Sequence, residues 1–347
     1  MDIRTTPTPI IGQIETTSGT VAVLSTTWRW KDIWGSIKIR WSVGRMNYSV
    51  TPGLYAVGSP DQNSKVFVTG NYKLSVDHLR RALSGMNAWI LVLNTKGINV
   101  WCAAGKKTFG TDELVRKIKF LDLAKIVTHR KIIVPQLGAT GVSAHKIKEQ
   151  TGFTVIYGPV RAADIKDFVD SGLKATPVMR TITFPLVERL KLIPVDLFYA
   201  KYYLLIIPSL FFIIAGLNSK GYSVDLAISN GVHAVVNLFA AYLSGCALTP
   251  ALLPWIPFRR FSLKGMIIGL LTGILLFLAG FLGSSFLELI SWFLMIGGIS
   301  SFMAMNFTGS STFTSLSGVQ KEMKTALPLQ ITFAGIGLIG WIISRFM

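Results

Sequence analysis

The chain has 347 residues, 50% of them hydrophobic, and a formal net charge of +18. Nearly all its long uncharged runs follow Pro194, so a water-compatible front half is joined to a back half suited to lipid. The Lys and Arg residues form no stripe and no RNA-binding signature, which argues against nucleic acid and for a surface drawn to anionic lipid, and two cysteines are too few for a cubane iron–sulfur cluster.

Met1 to Thr20 is polar and lacks the apolar core of a signal peptide, so the front half is expected in the cytoplasm. Residues 1–52 form an N-terminal segment of uncertain structure. In it Trp28, Trp30, Trp34 and Trp41 alternate with Arg29, Lys31, Lys38, Arg40 and Arg45. These rings are expected to cover one edge of a core; base stacking and a membrane interface are the alternatives.

From 53 to 184 the pattern predicts a Rossmann-like α/β domain with a mostly parallel sheet. Strands are expected at Leu54 to Val57, Lys65 to Val68, Ala88 to Leu93, Lys131 to Val134 and Phe153 to Tyr157. Helices are expected at Ser75 to Ser84, Thr111 to Val127 with Thr111 as N-cap, Ser143 to Gln150 and Ala162 to Ser171, before an extended run near Val178 to Phe184. In such sheets ligands sit at the carboxyl ends of the strands. Thr69-Gly70-Asn71, the loop around Cys102, Pro135 to Ala139 and Gly158 to Arg161 all follow strand ends, and so converge on one rim.

A linker at 185–198 leads to an all-α transmembrane domain at 199–347. About five apolar runs match a hydrocarbon core near 30 Å thick: Tyr199 to Leu217, Ala227 to Leu248, Leu263 to Gly283, Phe286 to Phe307 and Leu327 to Phe346. Arg189, Lys191, Lys201, Arg259, Arg260, Lys264, Lys321 and Lys324 fall on one side, and the opposite loops carry only Lys220. The expected topology is therefore multi-pass in the cell (inner) membrane, with the N-terminal domain cytoplasmic and the C-terminus outside. Glu288, His233 and Asn237 are expected to serve helix-to-helix bonding, and Gly269, Gly273, Gly280, Gly335 and Gly337 close helix packing.

The chemistry concentrates at Asn99-Val100-Trp101-Cys102-Ala103-Ala104-Gly105-Lys106, where a thiol, once ionised a soft metal ligand, sits beside small residues. Asn99 is a candidate cap for a short helix carrying the cysteine, and the small residues Ala103, Ala104 and Gly105 are expected to let a flat, bulky partner approach the backbone. Lys106 is a candidate for a cofactor amide or phosphate, and equally a solvated lysine; Trp101 is expected to pack in the core. The spaced glycine that a phosphate loop carries ahead of its Gly-Lys pair is missing before Gly105-Lys106, which argues against nucleotide hydrolysis. The histidines His78, His129, His145 and His233 show no metal-ligand spacing.

The eight-residue stretch resembles the signature of the mercury-methylating corrinoid proteins (the HgcA family). Val68 to Ser75, Asn94 to Ile98, Lys107 to Thr111, His129 to Lys131, Pro135 to Ala139 and Tyr157 to Ala162 are similar to the corrinoid domain of the large subunit of the corrinoid iron–sulfur protein. That similarity runs from about Val66 to about Phe184. The soluble carrier's N-terminal cysteine cluster and barrel domain have no counterpart here.

The resemblance implies a cobalamin or related corrinoid, with no iron–sulfur cluster in this chain, and Cys102 as the lower axial cobalt ligand and the catalytic residue. A thiolate donates strongly to cobalt, and a methyl group leaving with extra electron density suits a soft acceptor such as Hg(II), giving methylmercury. The implied cofactor-binding set is Thr69, Gly70, Asn71, Asn99, Val100, Trp101, Cys102, Ala103, Ala104, Gly105, Lys106, His129, Gln136, Leu137, Gly138, Ala139, Gly158, Pro159, Val160 and Arg161. The implied partners are a two-cluster ferredoxin, as electron donor and a source of mercury, and a folate-dependent methyl donor protein, alongside Hg(II) and the lipid bilayer. Two alternatives share this pocket: a membrane-anchored corrinoid methyl carrier of one-carbon metabolism, and a corrinoid-binding receptor or transport component.

Overall fold

The computed structural model describes residues 6–309, 311 and 316–347. They fall into two compact units, one taking the residues up to Ile39 with Val43–Ile182, the other Arg40–Ser42 with Thr183–Met347.

The front unit is built on a seven-stranded sheet: β1 (Ile10–Thr16), β2 (Gly19–Leu24), β3 (Gly53–Val57), β4 (Lys65–Gly70), β5 (Ala88–Leu93), β6 (Lys131–Val134) and β7 (Thr154–Tyr157). Its order is β1-β2-β3-β5-β4-β6-β7. The β2–β3, β5–β4, β4–β6 and β6–β7 pairs are parallel, while β1–β2 and β3–β5 are antiparallel. β5 is apolar throughout because it is buried on both faces: Trp89, Leu91 and Leu93 enter one core, and Ala88, Ile90 and Val92 the other. The hairpin of β1 and β2 extends this sheet from within the segment whose structure composition left undefined.

The helices of this unit are α1 (Trp30–Arg40, its last residue grouping with the other unit), α2 (Lys73–Ala82), α3 (Val100–Gly105), α4 (Thr111–Phe120), α5 (Leu123–Ile126), α6 (Ala144–Thr151), α7 (Ile165–Asp170) and α8 (Pro177–Arg180). Residues from α3 to α6 fill the core on one face of the sheet, and residues from α2 and α7 the core on the other.

Three expectations are corrected. The helix from Thr111 has Gly110 as its N-cap residue, and the Thr111 hydroxyl instead accepts from the Ser143 amide at 2.9 Å. That helix stops at Phe120, and Asp122 turns left-handed (φ 45°) so that Leu123, Ile126 and Val127 reach the core. Near Val178 the chain is helical and not extended, since Pro177 with its preset φ starts a turn capped by Thr176.

A buried ion cluster joins α1 to α2. Lys73 Nζ lies 2.9 Å from Asp32 and 2.6 Å from Asp77, and Arg80 lies 2.8 Å from each carboxylate. Arg80 also donates to the carbonyls of Ser25 and Thr27, and Trp28 Nε1 to that of Asp77, so the cluster fixes the chain that enters α1. Burial pushes the Asp32 carboxyl up, but hydrogen bonds from Lys73 and the Arg29 amide, with the charges of Lys73 and Arg80, outweigh it. Its folded value therefore lies below the ordinary 3.8.

In the back unit the expected linker is helical, with α9 (Leu186–Leu190) and α10 (Ile193–Tyr199), followed by α11 (Tyr203–Ile214). A two-stranded turn, Leu217–Asn218 with Gly221–Tyr222, leads to α12 (Val224–Leu243), which continues through a π-helical turn (Ser244–Leu248) into α13 (Thr249–Leu252). Then come α14 (Phe261–Leu278), α15 (Phe286–Asn306) and α16 (Leu316–Ile343). Among the described residues four helices are long and apolar enough to cross a membrane, or five if the pair bent by 58° at Tyr199 to Tyr203 is one span.

The run Tyr199 to Leu217 thus yields a helix of 12 residues, only about 18 Å long at 1.5 Å per residue. Alone it falls short of a bilayer core. Gly269, Gly273 and Gly337 do permit close packing: a Cβ there would come within 2.7 to 2.8 Å of Ser300, Phe293 and Met295 respectively. Gly280 and Gly335 face open space, and Gly280 instead takes the positive φ that ends α14. Asn237 donates to the Phe281 carbonyl at 2.9 Å, and Glu288 pairs with Arg345 near the end of α16.

Removing Arg80 leaves two buried carboxylates to one lysine, so Arg80→Ala should cost about 3–5 kcal/mol of front-unit stability. Hydrogen-exchange protection of the β4 and β5 amides in the full-length protein reads this, and Arg80→Lys should restore part of it. Because the folded Asp32 value is depressed, its contribution is present above the unfolded value of 3.8 and is lost as pH falls through the lower folded one. The same protection in wild type should therefore weaken only below about pH 4.

Candidate functional site

β4, β5, β6 and β7 point the same way, so the loops that follow them meet on one rim. The winding reverses between β4 and β6: β4 connects through α2 to β5 on one side, and β6 through α6 to β7 on the other. That is the position where open α/β sheets leave a crevice for ligands. α3, which follows β5, packs against the turn Gln136–Gly138 after β6.

Asn99 fixes the start of α3, its Oδ1 accepting from the Cys102 amide at 2.9 Å. Val100, Ala103 and Ala104 lie on one side of the helix and are buried in the core. Cys102, half-buried, shares the other side with exposed Gly105 and Lys106, at positions i, i+3 and i+4. This corrects the expectation for the two alanines, which do not open room for a macrocycle. Their small size admits the neighbouring loop instead: a Cβ on Gly141 would strike the Phe109 carbonyl and come 3.1 Å from Ala104 Cα, and one on Gly138 would strike the Phe109 ring. Gly141 was not among the expected site residues, and its role shows only once the two loops are together.

The loop between β5 and α3 is held from beneath. Asn71 Oδ1, at the end of β4, accepts from the amides of Thr95 and Gly97, both at 3.0 Å. Glu113 of α4 accepts from the Asn94 amide at 2.9 Å, and the Thr95 hydroxyl lies 2.7 Å from the Ile98 carbonyl. Lys96 and Gly97 both turn through positive φ. Thr95 and Glu113 therefore position the site without having been singled out for it. A Cβ on Gly70 would meet the Thr95 side chain at 2.9 Å, so glycine is needed there too.

Of the other expected residues, Thr69 is buried beside Asn71, and Trp101, Leu137 and Ala139 are half-buried around the crevice. Gly158 and Pro159 are buried, Val160 donates its amide to the Met179 carbonyl at 2.8 Å, and Arg161 is exposed. His129 is a correction. It precedes β6, at the opposite end of the sheet, with Nε2 2.9 Å from the Ser64 carbonyl. It belongs with the turn before β4 and not with the rim.

Among the described residues no three His, Cys, Asp or Glu side chains come together, so the soft donor that this rim offers is the Cys102 thiol. Two buried polar atoms on the flanking loops have no hydrogen-bond partner, Nδ2 of Asn71 and Oε1 of Gln136. An unpaired donor and an unpaired acceptor on loops flanking the one that carries Cys102 are compatible with a ligand that carries amides at its edge.

The fold and rim thus define a doubly wound α/β unit with a single half-buried thiol on the loops at the carboxyl ends of its parallel strands. Residues 21–169 match the family described as CO dehydrogenase/acetyl-CoA synthase delta subunit. The acetyl-CoA decarbonylase/synthase complex subunit gamma of Archaeoglobus fulgidus is 30% identical over 128 residues, 36% of this chain and 27% of that protein. Subunit gamma 2 of Methanosarcina thermophila is 34% identical over 121 residues, 33% of this chain and 25% of that one. The corrinoid/iron-sulfur protein large subunit of Moorella thermoacetica is 30% identical over 122 residues, 35% and 27% of the two chains. The chain thus spans about a quarter of the length of these relatives. The match begins at Val21, within β2, in the stretch set apart by composition.

Cys102 is half-buried while Cys246 is fully buried, so one thiol of the folded protein should react quickly with N-ethylmaleimide. Mass spectrometry should locate it at Cys102. Asn99→Ala removes a cap worth about 1 kcal/mol and should speed labelling several-fold by fraying α3; an unchanged rate would mean that the cap does not hold the cysteine.

Proposed function

We propose that this protein is a membrane-held corrinoid protein of methyl transfer, with Cys102 as the lower ligand of cobalt. The observation that carries it is the two-sided helix α3, which buries Val100, Ala103 and Ala104 and leaves one half-buried thiol on its other side, on the rim at the carboxyl ends of the parallel strands. When bound, the corrinoid supplies a cobalt centre that takes up and gives away a methyl group. Cys102 would hold it as a thiolate, a strongly donating ligand for cobalt. Gln136 Oε1 and Asn71 Nδ2 would meet amides at the corrin edge, and Gly105 leaves the face beside the thiol clear. Lys106, exposed one turn from the cysteine, would meet a polar edge group or the tail phosphate.

The similarity to acetyl-CoA decarbonylase/synthase complex subunits and to a corrinoid/iron-sulfur protein favours a carrier of one-carbon units. The four or five apolar helices, compatible with membrane spans, would anchor it, with the basic loops on the cytoplasmic side. For the acceptor, the stretch Asn99 to Lys106 supports a second, narrower reading: delivery of the methyl group to Hg(II), giving methylmercury. In either case the methyl group would come from a folate-dependent donor protein. Electrons, and in the second reading mercury, would come from a two-cluster ferredoxin.

Reconstitution of the purified protein with cobalamin tests the shared claim. Wild type should show a cobalt–sulfur band in the visible spectrum that Cys102→Ala lacks, and identical spectra would overturn the ligand assignment. Gln136→Leu should keep that band while weakening cobalamin binding about tenfold, the worth of one hydrogen bond of about 1.4 kcal/mol. The methylated protein, supplied with reduced ferredoxin and Hg(II), then separates the two acceptors. Methylmercury formation that is lost in Cys102→Ala supports the narrower reading. Methyl exchange with the folate-dependent donor, and no methylmercury, leaves the carrier.

A further inference from the structure

α1 is amphipathic in the inverted sense. Its inward side is polar, with Asp32 and Ser36 buried beside Ile39, because the ion cluster of Lys73, Asp77 and Arg80 draws Asp32 in. Its outward side carries Trp30 at 75% exposure, Trp34 at 51% and Ile37 at 39%, and the stripe continues past the helix end in Trp41 at 41%. Trp30, Trp34 and Ile37 follow the i, i+4, i+7 spacing of one helix face. The expectation that the tryptophans cover a core edge therefore holds only for Trp28, which stacks near His78 and under Arg81.

Lys31 and Lys38 are exposed along one border of the stripe, and Lys38 Nζ lies 5.8 Å from the centre of the Trp34 ring. Residues 28–47 hold five cations (Arg29, Lys31, Lys38, Arg40, Arg45) against one acid, Asp32, whose charge is taken up inside. An exposed stripe of indole rings with lysines beside it is the composition of a helix lying in a bilayer interface. Indole is amphipathic and partitions to the headgroup layer, while lysine stems lie along apolar surface and keep their ammonium groups among lipid phosphates. Arg40–Ser42, at the end of this helix, group with the unit that holds the apolar helices, where Trp41 packs edge-on against Phe198 at 5.4 Å.

We propose that the outward face of α1 lies in the headgroup layer of an anionic bilayer, as a peripheral contact separate from the apolar helices of the back unit. This rests on the reading that those helices span a bilayer. Its consequence is that the front unit is held at the membrane surface by its own residues as well as by the chain.

The test uses the full-length protein with Cys102→Ala and Cys246→Ala, reconstituted in phosphatidylcholine bilayers with or without phosphatidylglycerol. A nitroxide is attached at Ile37→Cys or, as an independent site on the same face, at Trp34→Cys. Collisions with oxygen, which concentrates in lipid, are compared with those of a water-soluble nickel chelate. Labels at Leu275→Cys in α14 and at exposed Lys119→Cys in α4 serve as references.

At 37 and 34 the oxygen-to-nickel ratio should be several-fold above that at 119, and it should rise with phosphatidylglycerol. Lys31→Gln with Lys38→Gln should abolish that rise. A lipid-like ratio at 275 with a water-like one at 37 and 34 would overturn this proposal and leave the spanning helices standing. A water-like ratio at 275 would remove the bilayer reading itself. Shielding at 37 and 34 from both reagents would mean that protein, and not lipid, covers the face.

Discussion

Burying one side of a six-residue helix fixes the direction of the other. Val100, Ala103 and Ala104 enter the core of the front unit, and that commitment sets the phase of α3 and turns Cys102, Gly105 and Lys106 to its outer side. Two further restraints make the phase reproducible. Asn99 ties the Cys102 amide, and Asn71 ties the loop that delivers Asn99. The thiol is thus positioned by packing and backbone hydrogen bonds, none of which needs a ligand in place.

The strands of the rim were legible because their composition is extreme. Ala88 to Leu93 has the same limits in the sequence pattern and in the structure, since a strand buried on both faces admits no polar residue. From there the rim followed, because ligand loops sit at the carboxyl ends of parallel strands. What stayed hidden depends on phase or on distant partners. A run such as Ala103-Ala104-Gly105 shows small residues without showing which of them face inward. His129 lies within a stretch similar to the corrinoid domain, but that similarity does not say at which end of a strand a residue falls. Glu113, 19 residues beyond the backbone amide that it holds, gives no local sign of that role.

Hydrophobic periodicity also fails in one instructive way. It finds the two sides of a helix but assumes that the apolar side is the buried one. In α1 the assumption is reversed, because charge pairing with Lys73 and Arg80 holds Asp32 inside against the cost of its burial. In the back unit a run of apolar residues overstates the helix it encodes, as between Tyr199 and Leu217. Glu288, placed near a span start by sequence, finds its partner in Arg345, 57 residues on, and no window of sequence shows that pairing.

The donor set limits what this chain does alone. Cys102, half-buried on the rim, is the one cysteine of the front unit, and Cys246 belongs to the back unit, so the front unit offers no second thiol to relay an electron or to hold a soft metal. If Cys102 serves as a ligand beneath a macrocycle, it is not free to present the acceptor as well. On that reading the acceptor and the reducing electron would arrive on other molecules. Gly105, Lys106 and Arg161 are exposed at the border of the rim, where such a molecule would meet this chain. A bilayer contact through α1 would hold the front unit close to the membrane and so restrict the directions from which such partners come.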